Sequence, residues 1–285
     1  MDSINIPLLE EGEDAASLRT RNADGQKARN MLIDRGNSLI LQAALTSVTH
    51  GDFTPDGDGA SLLIFEFNFI GKGERRLTSG EITITFEDAK LDTRNCPMVA
   101  KISPAGRFAI NKTTSTRDIH QGLNATLGAG AGIATGELGF VWDQTETSKD
   151  HHATTLVGLK RSFGFSGGKN NAVTWRLEED PKTREGIPSF LRGCVLLRRR
   201  ADVPFQFKID VKSDVDFGGK LRRFFGLEKP DPVDHVELDG KNDLDDLGIS
   251  SLDPDTPGLD LKNMGSMDVT QHAHVVLASL LTAPG

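Results

Sequence analysis

The chain has 285 residues, 37% hydrophobic and 26% charged, and a formal charge of −8. That suits one large β domain or two small ones with a sizeable core, and no apolar run approaches the ~20 residues of a membrane-spanning helix. Tyrosine is absent while phenylalanine numbers 15, which excludes chemistry that needs a phenolic acid or base and a tyrosine-rich recognition surface.

Residues 1–36 are polar and without period, and are expected to form a flexible lead-in. Their start, Met1-Asp2-Ser3-Ile4-Asn5 running into Glu10, Glu11, Glu13 and Asp14, lacks the basic and apolar regions of a secretion signal. A cytoplasmic location is therefore expected. Cys96 and Cys194 stand in apolar surroundings without partner spacing, as reduced core residues of such a protein.

The first strand is expected over 39–49, ended by a turn-rich stretch over 51–59. A second covers 62–70, with Phe65, Phe67 and Phe69 on one face. Ile82, Ile84 and Phe86 repeat the pattern. Strands over 99–102 and 107–110 flank Ser103-Pro104-Ala105-Gly106, which reads as a hairpin turn. Residues 127–142, rich in Gly and Ala, are expected to form a long hairpin with 153–165 across polar 143–152. Strands follow over 172–177, containing Trp175, and over 187–198.

The clearest element is 205–217. Phe205, Phe207, Ile209, Val211, Val215 and Phe217 alternate with Gln206, Lys208, Asp210, Lys212, Asp214 and Asp216, the period of a strand with one dry and one wet face. Residues 219–226 read as a helical turn or two. The expected architecture is all-β, a mostly antiparallel β-sandwich, with an open β-barrel as the alternative.

Charge is divided along the chain. Residues 228–285 hold twelve acids against three lysines, and residues 182–227 eleven bases against five acids. The reading is a flexible segment over 1–36, a sandwich domain over 37–227 and an acidic Pro/Asp/Leu-rich tail over 228–285. The tail ends in an apolar stretch over 274–281.

Several patterns suggest chemistry and fail on context. Gly164-Phe165-Ser166-Gly167-Gly168 matches a nucleophile elbow, but a strand follows it where the motif needs a helix. The glycines of 128–139 have neither dinucleotide spacing nor the Lys-Ser/Thr ending of a phosphate loop. Asp52, Asp56 and Asp58 lack the closing bidentate Glu of a calcium loop, and Asp210, Asp214 and Asp216 read as a solvated face. Adjacent His151 and His152 would point to opposite faces of a strand. His272 and His274 share a face but have no third ligand nearby, so no metal is expected. The glycosylation patterns at Asn111 and Asn124 carry little weight without a secretion signal. Nothing calls for a cofactor.

Arg192, Arg198, Arg199, Arg200, Lys220, Arg222 and Arg223 form the candidate binding group, near Phe224 and Phe225. A patch of that kind suits a protein partner or an anionic membrane surface. Nucleic acid is disfavoured, because aromatic and basic residues do not interleave and the net charge is negative. A small-molecule ligand is unspecified.

The stretch over 103–111, the Trp175-Arg176-Leu177-Glu178-Glu179 to Gly186-Ile187-Pro188 block and the Val195-Leu196-Leu197 strand resemble a family of uncharacterised intracellular all-β proteins of filamentous ascomycete fungi. The resemblance covers about residues 38–235. It implies one β-rich domain and a fungal source, and carries no catalytic residues with it.

Three functions fit these readings. The first is a non-enzymatic binding or scaffold domain whose basic face is occluded by its acidic tail; screening confines such a tail to contact range, about 8 Å at physiological salt. The second is a membrane-perforating protein restrained by that tail, since transmembrane strands need only about 9–11 residues each. The third is a cofactor-free cyclase or isomerase of fungal biosynthesis working by positioning, with Glu66, Glu81, His120 and Glu137 as acid/base candidates.

Overall fold

The computed structural model describes residues 26–35, 39–71, 76–110, 153–164, 168–200, 203–217, 220–225, 235–240 and 244–276, with backbone alone for Arg35, Phe217 and 220–225. Among the described residues thirteen strands form two antiparallel sheets, and no α-helix occurs. The first sheet contains β1 (Met31–Arg35), β2 (Ile40–Asp52), β3 (Gly59–Ile70), β5 (Met98–Ser103), β9 (Phe190–Arg199) and β13 (His274–Val276). Its order is β1-β2-β3-β9, and β5 and β13 lie end to end along the far edge of β9. The second contains β4 (Arg76–Asp88), β6 (Gly106–Ile110), β7 (Thr154–Arg161), β8 (Ala172–Glu178), β10 (Phe205–Phe217), β11 (Lys220–Phe225) and β12 (Val236–Leu238). Its order is β11-β10-β4-β8-β7-β6, with β12 beside β11 on the outer edge of β10. The two sheets do not close on each other, so the architecture is the sandwich and not the open barrel.

Period-two patterning explains why these strands stack. β10 presents Phe205, Phe207, Ile209 and Val211 to the core in register with Asp88, Phe86, Ile84 and Ile82 of β4. The opposite parity is wet: Lys212, Glu81 and Arg176 stand in one cross-strand row of alternating charge on the outer face, where opposite charges across a ladder are favourable. Between the sheets the aromatic rings interlock. Phe65 meets Phe207 edge-on at 5.5 Å and Phe67 meets Trp175 at 6.1 Å, while within the second sheet Phe86 meets its strand partner Phe207 at 5.9 Å, all within the favourable range for ring pairs.

Trp175 sets the spacing on that side of the core. It is fully buried, and its indole N–H donates to the Pro104 carbonyl at 3.0 Å. Glycine is required around it: a Cβ at Gly193 would stand 2.8 Å from the indole ring, and one at Gly158 would stand 2.0 Å from the Pro104 oxygen. Those two positions leave room for the ring and for the turn that anchors it.

Three expectations change. The turn over 103–106 is not a hairpin within one sheet, because β5 pairs with β9 and β6 with β7. The cis Ser103–Pro104 bond and Gly106, at φ +103°, carry the chain from one sheet to the other, tied down by Trp175. Residues 220–225 form strand β11, not a helical turn, with Phe217 paired to Lys220 and only Gly218-Gly219 between them in sequence. That dipeptide is a hairpin signal and outweighs the helical reading. β1 lies inside the stretch read as a lead-in and pairs along β2; five residues are too few to display a period. The 127–142 half of the expected hairpin lies outside the described residues, and β7 is paired on its two edges by β6 and β8.

Candidate functional site

The seven basic residues do not assemble into one face. Arg192, Arg198 and Arg199 belong to β9 in the first sheet, and Arg200 follows it. Lys220, Arg222 and Arg223 belong to β11 at the edge of the second sheet. Gly193 of β9 lies against Trp175 of β8, and β11 is three strands away from β8, about 14 Å at ordinary strand spacing.

The β9 group also has partners in the body of the domain. Arg192 donates to Glu66 Oε1 through Nε at 2.9 Å and Nη2 at 2.6 Å. Arg198 donates to Asp58 Oδ2 at 2.6 Å and lies 5.4 Å over the Phe53 ring. Arg199 is buried; its Nε donates to Ser61 Oγ at 2.7 Å, Nη1 to the Arg200 carbonyl and Nη2 to the Gly240 carbonyl. Arg200 donates to Asn95 Oδ1 at 3.0 Å. Odd and even positions of β9 face opposite ways, so consecutive arginines cannot share a surface. The side chains of Arg192 and Arg198 are about half exposed, and exposed ion pairs contribute little once solvent screens them. Arg192→Ala and Arg198→Ala should each lower unfolding stability by no more than about 1 kcal/mol, read from urea denaturation midpoints.

The acidic segment is built into the domain, and its backbone meets the β9 arginines at the Gly240 carbonyl, which accepts from Arg199, and in β13, where His274 pairs with Arg192. β12 extends the second sheet, and Ser250 bridges Ser47 of β2. Residues 252–269 cross the outer face of the first sheet. There Met264, Met267 and Val269, with Leu252 and Leu259, close a second apolar cluster over Ala60, Leu62, Ile64, Cys194 and Leu196. Two backbone bonds, Asp52 N–H to the Leu261 carbonyl and Gly265 N–H to the Phe53 carbonyl, and one from the Lys101 side chain, Nζ to the Met267 carbonyl, hold the crossing. The apolar beads between the aspartates carry this docking. Their spacing has no strand or helix period, so only contact with a sheet face reveals it.

Removal from solvent alters the acidity of His50 and both cysteines. His50 Nδ1 lies 2.8 Å from Ser61 Oγ, and burial, with the Arg199 charge, lowers its pKa to about 4. Burial raises the Cys194 thiol to about 12, and the thiol contacts the Val269 carbonyl at 3.1 Å. Cys96 is buried too, and its pKa is raised by that burial. Neither thiol is a nucleophile near neutral pH. Ser61 is fully buried, so its hydroxyl is closed to a substrate.

Of the acid/base candidates, Glu66 is the partner of Arg192, and Glu81 sits on the wet face of the second sheet. His120 and Glu137 lie outside the described residues, as do His151, His152, Asn111, Asn124 and the 165–167 part of the elbow-like sequence. Asp58 of the calcium-like stretch is held by Arg198. His272 and His274 border a cleft of about 390 Å³ with Phe190, Arg192 and Val276. A second, more apolar groove of about 460 Å³ runs between β5 and residues 266–270, with Lys101 and Lys160 at its rim.

No protein-family model matches the chain, and no curated protein is significantly similar to it. Among solved structures, a "Pore forming protein" is similar with TM-score 0.30 and 9% identity, over 73% of this chain and 89% of that one. A likeness this loose decides nothing about function.

Proposed function

We propose that this chain perforates membranes, with the connection between β6 and β7 as the inserting element and the C-terminal segment as its restraint. One observation carries the reading. Among the described residues β6 is the edge strand of its sheet, and it pairs with β7 from Gly106↔Gly158 to Ile110↔Thr154. The 43 residues from 111 to 153 therefore leave and re-enter on neighbouring strands, where paired strands ordinarily need a connection of about 2–5 residues.

Two transmembrane strands of about 9–11 residues and a turn fit within that length. The sequence 127–136 is uncharged and made of small and apolar residues, and Trp142 follows as an interfacial aromatic would. Glu137 is the charged residue inside 127–142 and would face the lumen.

Dye release from vesicles tests the reading. With the restraint undocked by Met264→Asp and Met267→Asp the chain should release more entrapped dye than the parent, and the same variant with 113–150 replaced by a short Asn-Gly turn should not, because β6 and β7 keep their register. Absence of leakage from both the parent and the undocked variant, or equal leakage from the shortened variant, removes it.

A second reading, a non-enzymatic binding or scaffold domain, is favoured by the apolar outer face of the first sheet beneath residues 252–269. On it, the segment competes with a protein partner for Leu62, Ile64 and Leu196. Met264→Asp with Met267→Asp should then increase capture of a partner without promoting leakage.

A further inference from the structure

We propose that acid releases the C-terminal restraint, through a hydrogen-bond relay at His50 that holds only while the imidazole is neutral. The proposal rests on the perforation reading above and names the signal that sets the inserting element free.

Chemistry fixes the direction of each bond in the relay. A guanidinium has donors only, so Ser61 Oγ accepts from Arg199 Nε at 2.7 Å. The serine then has its own hydrogen to give, and His50 Nδ1 lies 2.8 Å away. Ser61 therefore donates to Nδ1, and the neutral ring carries its hydrogen on Nε2. A proton added to Nδ1 turns that acceptor into a donor. Two donors then face one oxygen, and the hydroxyl hydrogen of the fully buried Ser61 loses its acceptor. The new charge also stands beside that of Arg199.

The charged groups around the ring come from three elements. Arg199 of β9 opposes protonation and Asp239, just after β12, favours it; burial, the largest influence, opposes it as well. Asp52 shares the parity of His50 on β2 itself. The β3 residue opposite is the uncharged Ser61.

The C-terminal segment is fastened on both sides of this ring. Arg199 Nη2 donates to the Gly240 carbonyl at 3.3 Å. Gly240, at φ +79°, lies so close that a Cβ there would stand 2.5 Å from Nη2. From Gly240 the chain leaves the second sheet, and Ser250 N–H reaches the Thr46 carbonyl of β2 at 3.0 Å. The residues flanking His50 carry the crossing itself. Thr49 Oγ1 accepts from Leu252 N–H at 2.9 Å, and Asp52 N–H donates to the Leu261 carbonyl. Gly51 leaves room for that carbonyl and for the Met264 sulfur. Repulsion at His50 therefore acts on two fastenings at once, on Gly240 through Arg199 and on 252–264 through the β2 backbone.

His272, in the turn that ends the crossing, supplies a comparison. Burial holds it too below the usual histidine pKa, but its ring contacts Gln271, the residue beside it, and no arginine relay.

Hydrogen exchange of the full chain, corrected for the intrinsic effect of pH on amides, tests the relay. Dye release is read at the same pH values, from vesicles of phosphatidylcholine and phosphatidylserine at about 7:3. Protection of the Ser250, Leu252 and Gly265 amides should fall about tenfold or more between about pH 7 and pH 5, and dye release should rise with it. His50→Asn sets an amide oxygen in the place of Nδ1 and stays neutral, so its protection should change by less than about threefold over that range. His272→Gln should behave as the parent does. Imidazole nitrogen chemical shifts should place the His50 hydrogen on Nε2 at neutral pH.

The Nδ1–H form at neutral pH overturns the proposal. So does parent protection that is indifferent to pH, an equal loss in His50→Asn, or a loss that disappears in His272→Gln. The shifts and the parent profile need no variant, so poor folding of His50→Asn leaves the proposal open to refutation. Loss of protection in acid, with no leakage from the parent or from Met264→Asp with Met267→Asp, removes the perforation reading and leaves the acid release standing. Leakage equal at both pH values, with protection unchanged, does the reverse.

Discussion

Trp175→Ala should lower unfolding stability by about 3–5 kcal/mol, the range for removing a large buried aromatic. The ring is fully buried, faces Phe67 across the sheets and fills the space left at Gly193. Its loss leaves a cavity that rigid β-sheets on either side cannot collapse into. The Pro104 carbonyl would also lose its indole donor. Trp175→Phe separates the two effects. It keeps most of the apolar contact and sacrifices the hydrogen bond, for about 1–3 kcal/mol. Guanidinium denaturation followed by circular dichroism gives both values. A Trp175→Ala loss below about 1 kcal/mol, the typical effect of a point substitution, would mean that the two sheets do not pack through this ring.

His50 should make the fold acid-sensitive above the range where carboxylates titrate. Its pKa is about 4 in the folded chain against 6.5 for an ordinary histidine. The unfolded chain therefore binds the proton more readily, and stability falls as pH drops. The contribution is complete above about pH 6.5 and is lost progressively down to about pH 4. The total is about 3 kcal/mol for a group this buried. Burial is the main cause and the Arg199 charge the next, with Asp239 opposing both. In His50→Gln the stability difference between pH 6.5 and 4 should shrink by roughly that amount. Urea midpoints measured across the range decide it: parallel pH profiles for parent and variant would place His50 in contact with solvent.

The acid-labile site has a structural consequence. Arg199 joins His50, through Ser61, to the Gly240 carbonyl of the C-terminal segment. A proton on His50 would set two positive charges against one hydroxyl, at the place where that segment begins its return over the first sheet. Loss of stability should therefore begin there, and hydrogen exchange at 244–269 would register it before the aromatic core opens.

How much of this was legible in the sequence varied with the physics of each element. The long strands announced themselves, because a sheet with one wet face must alternate, and β10 does so along its length. The dry parity of β3 likewise marked Phe65 and Phe67 as core. The short strands were not legible. β1, β12 and β13 have three to five residues each, and they exist because an open edge accepts them. Clustering of arginines along the chain also misled. Arg198, Arg199 and Arg200 are neighbours in sequence, yet a strand sends them to different surroundings, and β11 belongs to another sheet.

Local chemistry by itself settled that this is an all-β chain with an aromatic core, because the two-residue period is a property of each strand taken alone. Only the tertiary structure decided which strands are neighbours, that the aspartate-rich C-terminus closes a second apolar cluster, and that the arginines of β9 find their partners within the domain. The reason is common to all three. Pairing, docking and charge neutralisation depend on groups up to about 200 residues apart in sequence, and those meet only when the sheets have formed.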